Sequence, residues 1–152
     1  MEIESCLVEV NIIKIIENEI KFLLMKRSKE EKYPGVWQMV TGHIEKGETA
    51  KNAAIRETLE ETGLHATNLW SIPHLNSFYN PETDTICFIP VFVTKVTHNF
   101  SPKLSDEHSE YLWAEHDYAK KLVAWPGQRT SINIIAEYFL ENKSEINLLR
   151  IL

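Results

Sequence analysis

Two cysteines, five glycines and six prolines are all that the 152 residues supply of these types. Cys6 and Cys87 each lie in an apolar, strand-like run with no second soft ligand spaced nearby, which excludes a disulfide framework or a cysteine-built metal site. They read as reduced core residues, with a single disulfide or a reactive thiol as the alternatives. The sparse, scattered glycine and proline leave no low-complexity tract, internal repeat or linker. No run approaches the roughly 18 apolar residues of a membrane span, and the opening MEIESCLVEV lacks the basic region and apolar core of a signal peptide. The expectation is a cytoplasmic protein with no membrane partner. Basic charge is also in deficit: 16 Lys and Arg face 22 Asp and Glu, for a net charge of −6. That balance argues against a nucleic-acid backbone as partner. It is no obstacle to a polyphosphate, which normally arrives with metal.

What is present fits one globular domain spanning residues 1–152. Hydrophobic residues make up 43% and charged residues 25%, an ordinary composition for a packed core of sheet and helices.

The most informative stretch is GHIEKGETAKNAAIRETLEETGL, from Gly42 to Leu64, with its five glutamates and three glycines. Thr49 is a plausible N-cap and Gly63 a natural C-terminal stop, so the spacing predicts a helix from about Thr49 to Thr62. With Glu57 at zero and ~100° per residue, Glu61 falls near 40° and Glu60 near 300°, beside Ala50, Ala53 and Ala54. Ile55 and Leu59 lie opposite, which predicts a helix gripped by protein on two sides. Like charges three or four residues apart oppose a helix by roughly 0.2–0.5 kcal/mol per pair. Arg56 reaches Glu60 at i+4, but one guanidinium does not balance three acids. A hard divalent cation would: Mg²⁺ first, with Mn²⁺ as the alternative. A solvated glutamate stripe is the bland reading of the same residues.

Either side of this stretch the chain reads as alternating strands and turns. LVEVNIIKII from Leu7 and IKFLLMKR from Ile20 predict a hairpin. Arg27, at the end of the second strand, is either a phosphate ligand or a solvated strand end. Trp37 to Thr41 predicts a short strand leading into Gly42, whose alternate side chains face substrate. Trp37 is then core or ligand, and the amide of Gln38 suits a base because it both donates and accepts. The segment from Ala66 to Tyr79 predicts an irregular or edge strand, and Thr85 to Val96 a central one marked by Pro90. A polar loop, about Thr97 to Ser109, holds Ser105, Asp106, Glu107 and His108. It is either a solvated loop or the source of a further carboxylate for a phosphate site. A short strand from Glu110, a helix from about Asp117, the block Trp125-Pro126-Gly127-Gln128 and a helix striped with Ile132, Ile135, Ala136 and Phe139 complete the domain. The apolar tail after Ser144 packs on the domain or on a second subunit, leaving monomer and homodimer both open.

Gly42, Glu48 and the run Arg56-Glu57-Thr58-Leu59-Glu60-Glu61-Thr62-Gly63-Leu64 resemble the Nudix box, the signature of hydrolases acting on nucleoside diphosphates linked to another group. Thr58 departs from it, standing where the family usually has an aliphatic residue that only packs. The resemblance implies an α+β fold, an α/β/α sandwich with a mixed central sheet. It further implies a metal held by Glu57, Glu60 and Glu61 with the carbonyl of Gly42, Arg56 orienting a glutamate, and Glu48 steadying the loop. Outside the box, Trp37-Gln38, Val40-Thr41-Gly42, Glu107-His108 ahead of Tyr111 and Trp113, and Trp125 are similar to bacterial dihydroneopterin triphosphate pyrophosphatases, once described as dATP pyrophosphohydrolases. By that likeness Glu107 is an additional catalytic or metal carboxylate. Candidate substrate contacts are Arg27, Trp37, Gln38, Thr41, Glu48, His108, Trp125 and Gln128. Asymmetric dinucleoside tetraphosphate hydrolases carry a similar loop glutamate, so the implied substrate is a pterin or nucleoside triphosphate or a dinucleoside polyphosphate. A nucleotide sensor that does not cut, or a metal-stabilised structural protein, are the other readings.

Overall fold

The computed structural model describes residues 2–141 and 143–152. Its strands are β1 (Glu2–Glu4), β2 (Leu7–Ile16), β3 (Glu19–Arg27), β4 (Trp37–Gln38), β5 (Val40–His43), β6 (Trp70–Asn80), β7 (Thr85–Lys95) and β8 (His108–Glu115). The helices are α1 (Ala50–Thr62), α2 (His116–Leu122) and α3 (Pro126–Leu140), followed by a 3₁₀ turn over Glu145–Leu149.

The strands form one mixed sheet. β7 runs parallel to β1 and β2 and antiparallel to β6, while β3 pairs antiparallel with β2, β4 and β8. The hairpin predicted from Leu7 is present, closed by Glu17 and Asn18 at φ 50° and 64°. Both central residues at positive φ match the twist of the flanking strands. β7 is internal as predicted, with β6 along one side and β1 and β2 along the other. The register between β6 and β7 shifts between Ile72 and Leu75, opposite Pro90, where the proline withholds a ladder donor.

Each sheet face carries its own core. Val8, Val10, Ile12, Leu23, Met25, Val40, Leu69 and Phe92 pack with Ala53 and Ala54 of α1. On the other face Ile13, Phe22, Leu24, Met39, Ile72, Val91 and Val93 pack with Ile132, Ile135, Ala136 and Phe139 of α3, the predicted stripe. The result is the expected α/β/α sandwich with a mixed central sheet.

Three expectations need correcting. Trp37 to Thr41 is not one strand, because the chain changes partner at Met39: β4 pairs with β3, and β5 with the start of β2. The α1 helix is not gripped on two sides, because Leu59 is 37% exposed while Ile55 still packs on the core. Leu59, at about 200° from the buried face, has no second layer to meet. β8 begins at His108, so the polar loop ends at Glu107 rather than at Ser109. The apolar tail packs on the domain: Ile151 N donates to Leu69 O at 2.8 Å, and Lys51 Nζ to Ile151 O at 2.8 Å.

Candidate active site

The capping signals at both ends of α1 act as expected. Thr49 is the N-cap and its side chain accepts from Asn52 N, and Gly63 closes the helix at φ 75°. These caps fix the helix rotation, and rotation decides which glutamates turn inward. Glu61 is 2% exposed, the side chain of Glu57 is 13% exposed, and that of Glu60 is 57% exposed. The three acids therefore share a face without sharing an environment.

Arg56 organises the outer part of the set. Its Nε and Nη2 donate to the two oxygens of Glu48 at 2.8 and 2.9 Å, a bidentate pair. Nη1 donates to Glu57 at 2.7 Å and Glu60 at 3.2 Å, and Nη2 to the His43 carbonyl at 2.8 Å. Glu48 also accepts from Glu45 N at 3.0 Å, fixing the turn before α1. The Arg56 hydrogen bonds hold the Glu48 carboxyl down, to about 2, and the backbone amide of Glu45 assists. Glu48 is thus committed to Arg56 and the loop. From sequence, only the i+4 contact of Arg56 with Glu60 was foreseeable; the Glu48 pair requires the loop to fold back over eight residues.

Glu57 packs against Gly42 on β5. A Cβ at Gly42 would lie 2.1 Å from Glu57 Cδ, so glycine is required for the carboxylate to reach the strand. Burial raises the Glu57 carboxyl above its ordinary value, against the pull of Arg56.

Glu61 is the extreme case. Both of its carboxylate oxygens are buried without a hydrogen-bond partner. Burial raises its carboxyl well above the ordinary range, followed by the neighbouring Glu107 and Glu57 carboxylates. One ligand atom each from Glu61, Glu107 and His108 lies within 4.8 Å of the others. Glu57, Glu60, Glu61, Ser105, Asp106 and Glu107 line a hollow of about 290 Å³. Buried unpartnered oxygens and an all-oxygen donor set on the helix suit a hard divalent cation. A larger hollow of about 650 Å³ lies between α2 and α3, lined by Asp117, Lys120, Lys121, Pro126, Arg129, Thr130 and Asn133. Those residues are all half-buried or exposed, and the hollow holds no concentration of unsatisfied groups.

The loop acid is delivered by β3 and β8. Arg27 pairs with His108 across these strands, and the next residue, Ser28, bonds to Glu107 O and Asp106 O at 2.9 and 2.8 Å. His108 is 4% exposed, and its Nε2 lies 3.2 Å from the Gln38 amide nitrogen. With that amide donating, Nε2 accepts, and the proton resides on the buried, unpartnered Nδ1. Burial lowers the His108 pKa to about 4, so the imidazole is neutral near pH 7. Sequence reasoning placed Gln38 and His108 among substrate contacts; the structure joins them to each other and brings His108 to the acids.

The remaining candidates are dispersed around the sheet edge. Arg27 donates through Nε to the Lys32 carbonyl and pairs with Glu31 at 3.6 Å, so it serves its own loop. Trp37 packs partly on the α3-side core, with Lys26 Nζ 6.0 Å from its ring. Thr41 Oγ1 donates to Met39 O at 3.3 Å. Trp125 is 46% exposed and meets Tyr33 edge to face at 5.5 Å, while Gln128 is 7% exposed with Oε1 unpartnered. Thr58 is fully buried and its hydroxyl has no partner, so the position packs, as expected of it, at the cost of a stranded polar atom. Sequence reasoning missed a buried polar cluster on the α3 side: Glu9, Asn11, Asn76 and Ser131. The signal was available, since Glu9 and Asn11 are polar positions alternating within the apolar first half of β2. Neither cysteine forms a disulfide; Cys87 is buried and Cys6 half-buried. Among the described residues no helix is long and apolar enough to cross a membrane.

Comparison with known proteins gives a concordant picture. The NUDIX domain model matches residues 7–134. The chain is 31% identical over 140 residues to the dihydroneopterin triphosphate diphosphatase of Haemophilus influenzae, covering 84% of each chain. It is 29% identical over 125 residues to the asymmetrical bis(5'-nucleosyl)-tetraphosphatase of Mus musculus, covering 80% of this chain and 82% of that one. A Listeria monocytogenes NUDIX hydrolase superposes with a TM-score of 0.79 at 25% identity, covering 91% of this chain and 96% of that one.

Proposed function

The chain belongs to the NUDIX domain family, and from that premise we propose that it hydrolyses a diphosphate bond in a triphosphate-bearing pterin or nucleoside, with Mg²⁺ as cofactor. The observation that carries this reading is Glu61: a carboxylate buried without any hydrogen-bond partner, beside Glu57 and Glu107. A protein stabilised only by its own contacts gains nothing from that arrangement. A binding module that senses a nucleotide has no need of the full acid set.

Glu57, Glu60, Glu61 and Glu107, with the Gly42 carbonyl, are the residues that would hold the metal. When bound, it neutralises charge on the phosphate oxygens and lowers the pKa of a coordinated water. Arg56 donates to both Glu57 and Glu60 and offsets part of their mutual repulsion. Glu107, exposed on its loop, accepts the proton of the attacking water. The water oxygen bonds to the α-phosphorus, the α–β bridging bond breaks, and the products are a monophosphate and pyrophosphate. Gln38, Trp125 and Gln128 take the heterocycle. The fraction of the chain shared with the dinucleoside tetraphosphate hydrolase supports a second reading, a dinucleoside polyphosphate as substrate.

Turnover of dihydroneopterin triphosphate, nucleoside triphosphates and dinucleoside polyphosphates with Mg²⁺, with pyrophosphate and orthophosphate assayed separately, tests both. Pyrophosphate from the pterin at the highest kcat/KM supports the first reading. A dinucleoside tetraphosphate as best substrate selects the second, and no turnover of any of them overturns both.

A further inference from the structure

The buried cluster on the α3 side has no part in the chemistry above, yet it fastens the turn that carries two of the proposed ring contacts. Glu9, on β2, is 2% exposed and accepts from Asn76 Nδ2 at 2.8 Å and Asn11 Nδ2 at 3.2 Å. Asn76, on β6, is held in turn by His74, whose Nε2 donates to its Oδ1 at 2.9 Å. Its Nδ2 also lies 3.5 Å from Ser131 Oγ, and Ser131 donates to the Gly127 carbonyl at 3.1 Å. Gly127 itself is pressed on this amide: a Cβ there would lie 2.1 Å from Asn76 Oδ1.

These contacts replace the usual fastening of a helix start. The N-cap of α3 is Trp125, which offers no side-chain hydrogen bond to the first turn. The turn is instead seated from beneath, by an asparagine whose orientation is set by a carboxylate on the next strand but one. A buried carboxylate is a poor means of adding stability, since a well-packed apolar residue commonly does as well or better. It is a good means of fixing direction, because charge-assisted hydrogen bonds are short and angular.

We propose that Glu9 is a positioning residue for ring selection: through Asn76 and Ser131 it sets the seat of the first turn of α3, and with it Trp125 and Gln128. This rests on the reading that those two side chains contact the heterocycle. Glu9 does not touch substrate; Asn76 and Gly127 carry its effect to the groups that do.

The test uses the whole protein with Mg²⁺ and measures kcat and KM for dihydroneopterin triphosphate and dATP, and the inhibition constant of inorganic tripolyphosphate as a ring-free probe. Glu9→Gln places an amide donor against an amide donor in the cluster, and Gly127→Ala drives a methyl into Asn76 without altering Glu9. Ile135→Val, a cavity in the α3 core away from the first turn, is the control for lost stability alone. The expected result is a KM increase of about tenfold for at least one ring substrate and a shift of fivefold or more in the ratio of the two kcat/KM values. The tripolyphosphate constant should stay within twofold. The control should lower Tm and leave the ratio unchanged. If Glu9→Gln does not fold, Gly127→Ala decides alone. A ratio within twofold of wild type, or tripolyphosphate binding weakened as much as KM, overturns the proposal. A wild-type protein inert toward both substrates is a separate outcome, which overturns the functional reading and this inference with it.

Discussion

Glu9 and Glu61 lie on opposite faces of one sheet, each 2% exposed and each with a carboxyl raised by burial. Around Glu9 the fold supplies donors: Asn76, Asn11 and Ser131 offset part of the desolvation, and its pKa is raised only to about 7. Around Glu61 it supplies further carboxylates, Glu107 and Glu57, opposed only by the Thr41 backbone, and both oxygens are left without a hydrogen-bond partner. Burial alone therefore does not distinguish a structural acid from a functional one. The distinction is whether the protein provides the compensating charge or leaves it to come from solution.

Removing the charge at Glu61 should separate the two most sharply. Glu61→Gln is expected to lower kcat by about 10²–10⁴ while leaving Tm unchanged or higher, since an uncompensated buried charge is lost. Steady-state kinetics with scanning calorimetry check this, and a kcat within tenfold of wild type would contradict the assignment.

The pH dependence of stability should come next, and it has opposite signs at two sites. Glu9 has a folded pKa near 7 against an unfolded value of 4.5, so its contribution is complete below the unfolded value and is lost as pH rises toward 7. The loss amounts to at most about 3 kcal/mol, and Glu9→Gln should abolish it. His108 runs the other way: its folded pKa is near 4 against 6.5 unfolded, so stability is lost as pH falls between those values. Urea melts of wild type, Glu9→Gln and His108→Gln from pH 4 to pH 8 read both; parallel profiles for wild type and Glu9→Gln would remove Glu9 from the account.

Metal should then act on one face alone. At about 100 times its dissociation constant, Mg²⁺ is expected to stabilise the wild type by about 2.7 kcal/mol, and Glu61→Gln much less. Glu9→Gln should retain the full increment. A Tm titration in Mg²⁺, with EDTA reversal, measures it, and equal shifts in all three proteins would place the ion elsewhere.

Thr58 supplies the smallest effect and a limit to the comparison. Its hydroxyl is as unpartnered as the Glu61 carboxylate and lies on the same helix, but it carries no charge to attract a ligand. Thr58→Val should stabilise by about 1–2 kcal/mol with kcat/KM unchanged. Loss of activity in that variant would show that the hydroxyl has a partner in the working enzyme.

Much of this was legible in the chain because it is encoded at short range. The caps at Thr49 and Gly63, the spacing of Glu57, Glu60 and Glu61, the Leu7 hairpin and the α3 stripe each depend on residues a few positions apart. Less legible were the places where the chain changes partner. The break at Met39 depends on two different neighbours, β2 and β3, competing for one segment, and nothing within Trp37 to Thr41 records that. The exposure of Leu59 depends on the absence of a layer beyond α1, which periodicity cannot register.

The sequence by itself thus determined the acid set and its helical phase, because helix geometry converts spacing into direction without reference to the rest of the fold. Only the tertiary structure decided what each acid meets. It brought Glu48 to Arg56, Glu107 and His108 to Glu61, and Asn76 to Glu9 across 67 positions of chain. The environment of a buried charge is set by groups remote in sequence, and that environment surrounds Glu9 with donors and Glu61 with other carboxylates.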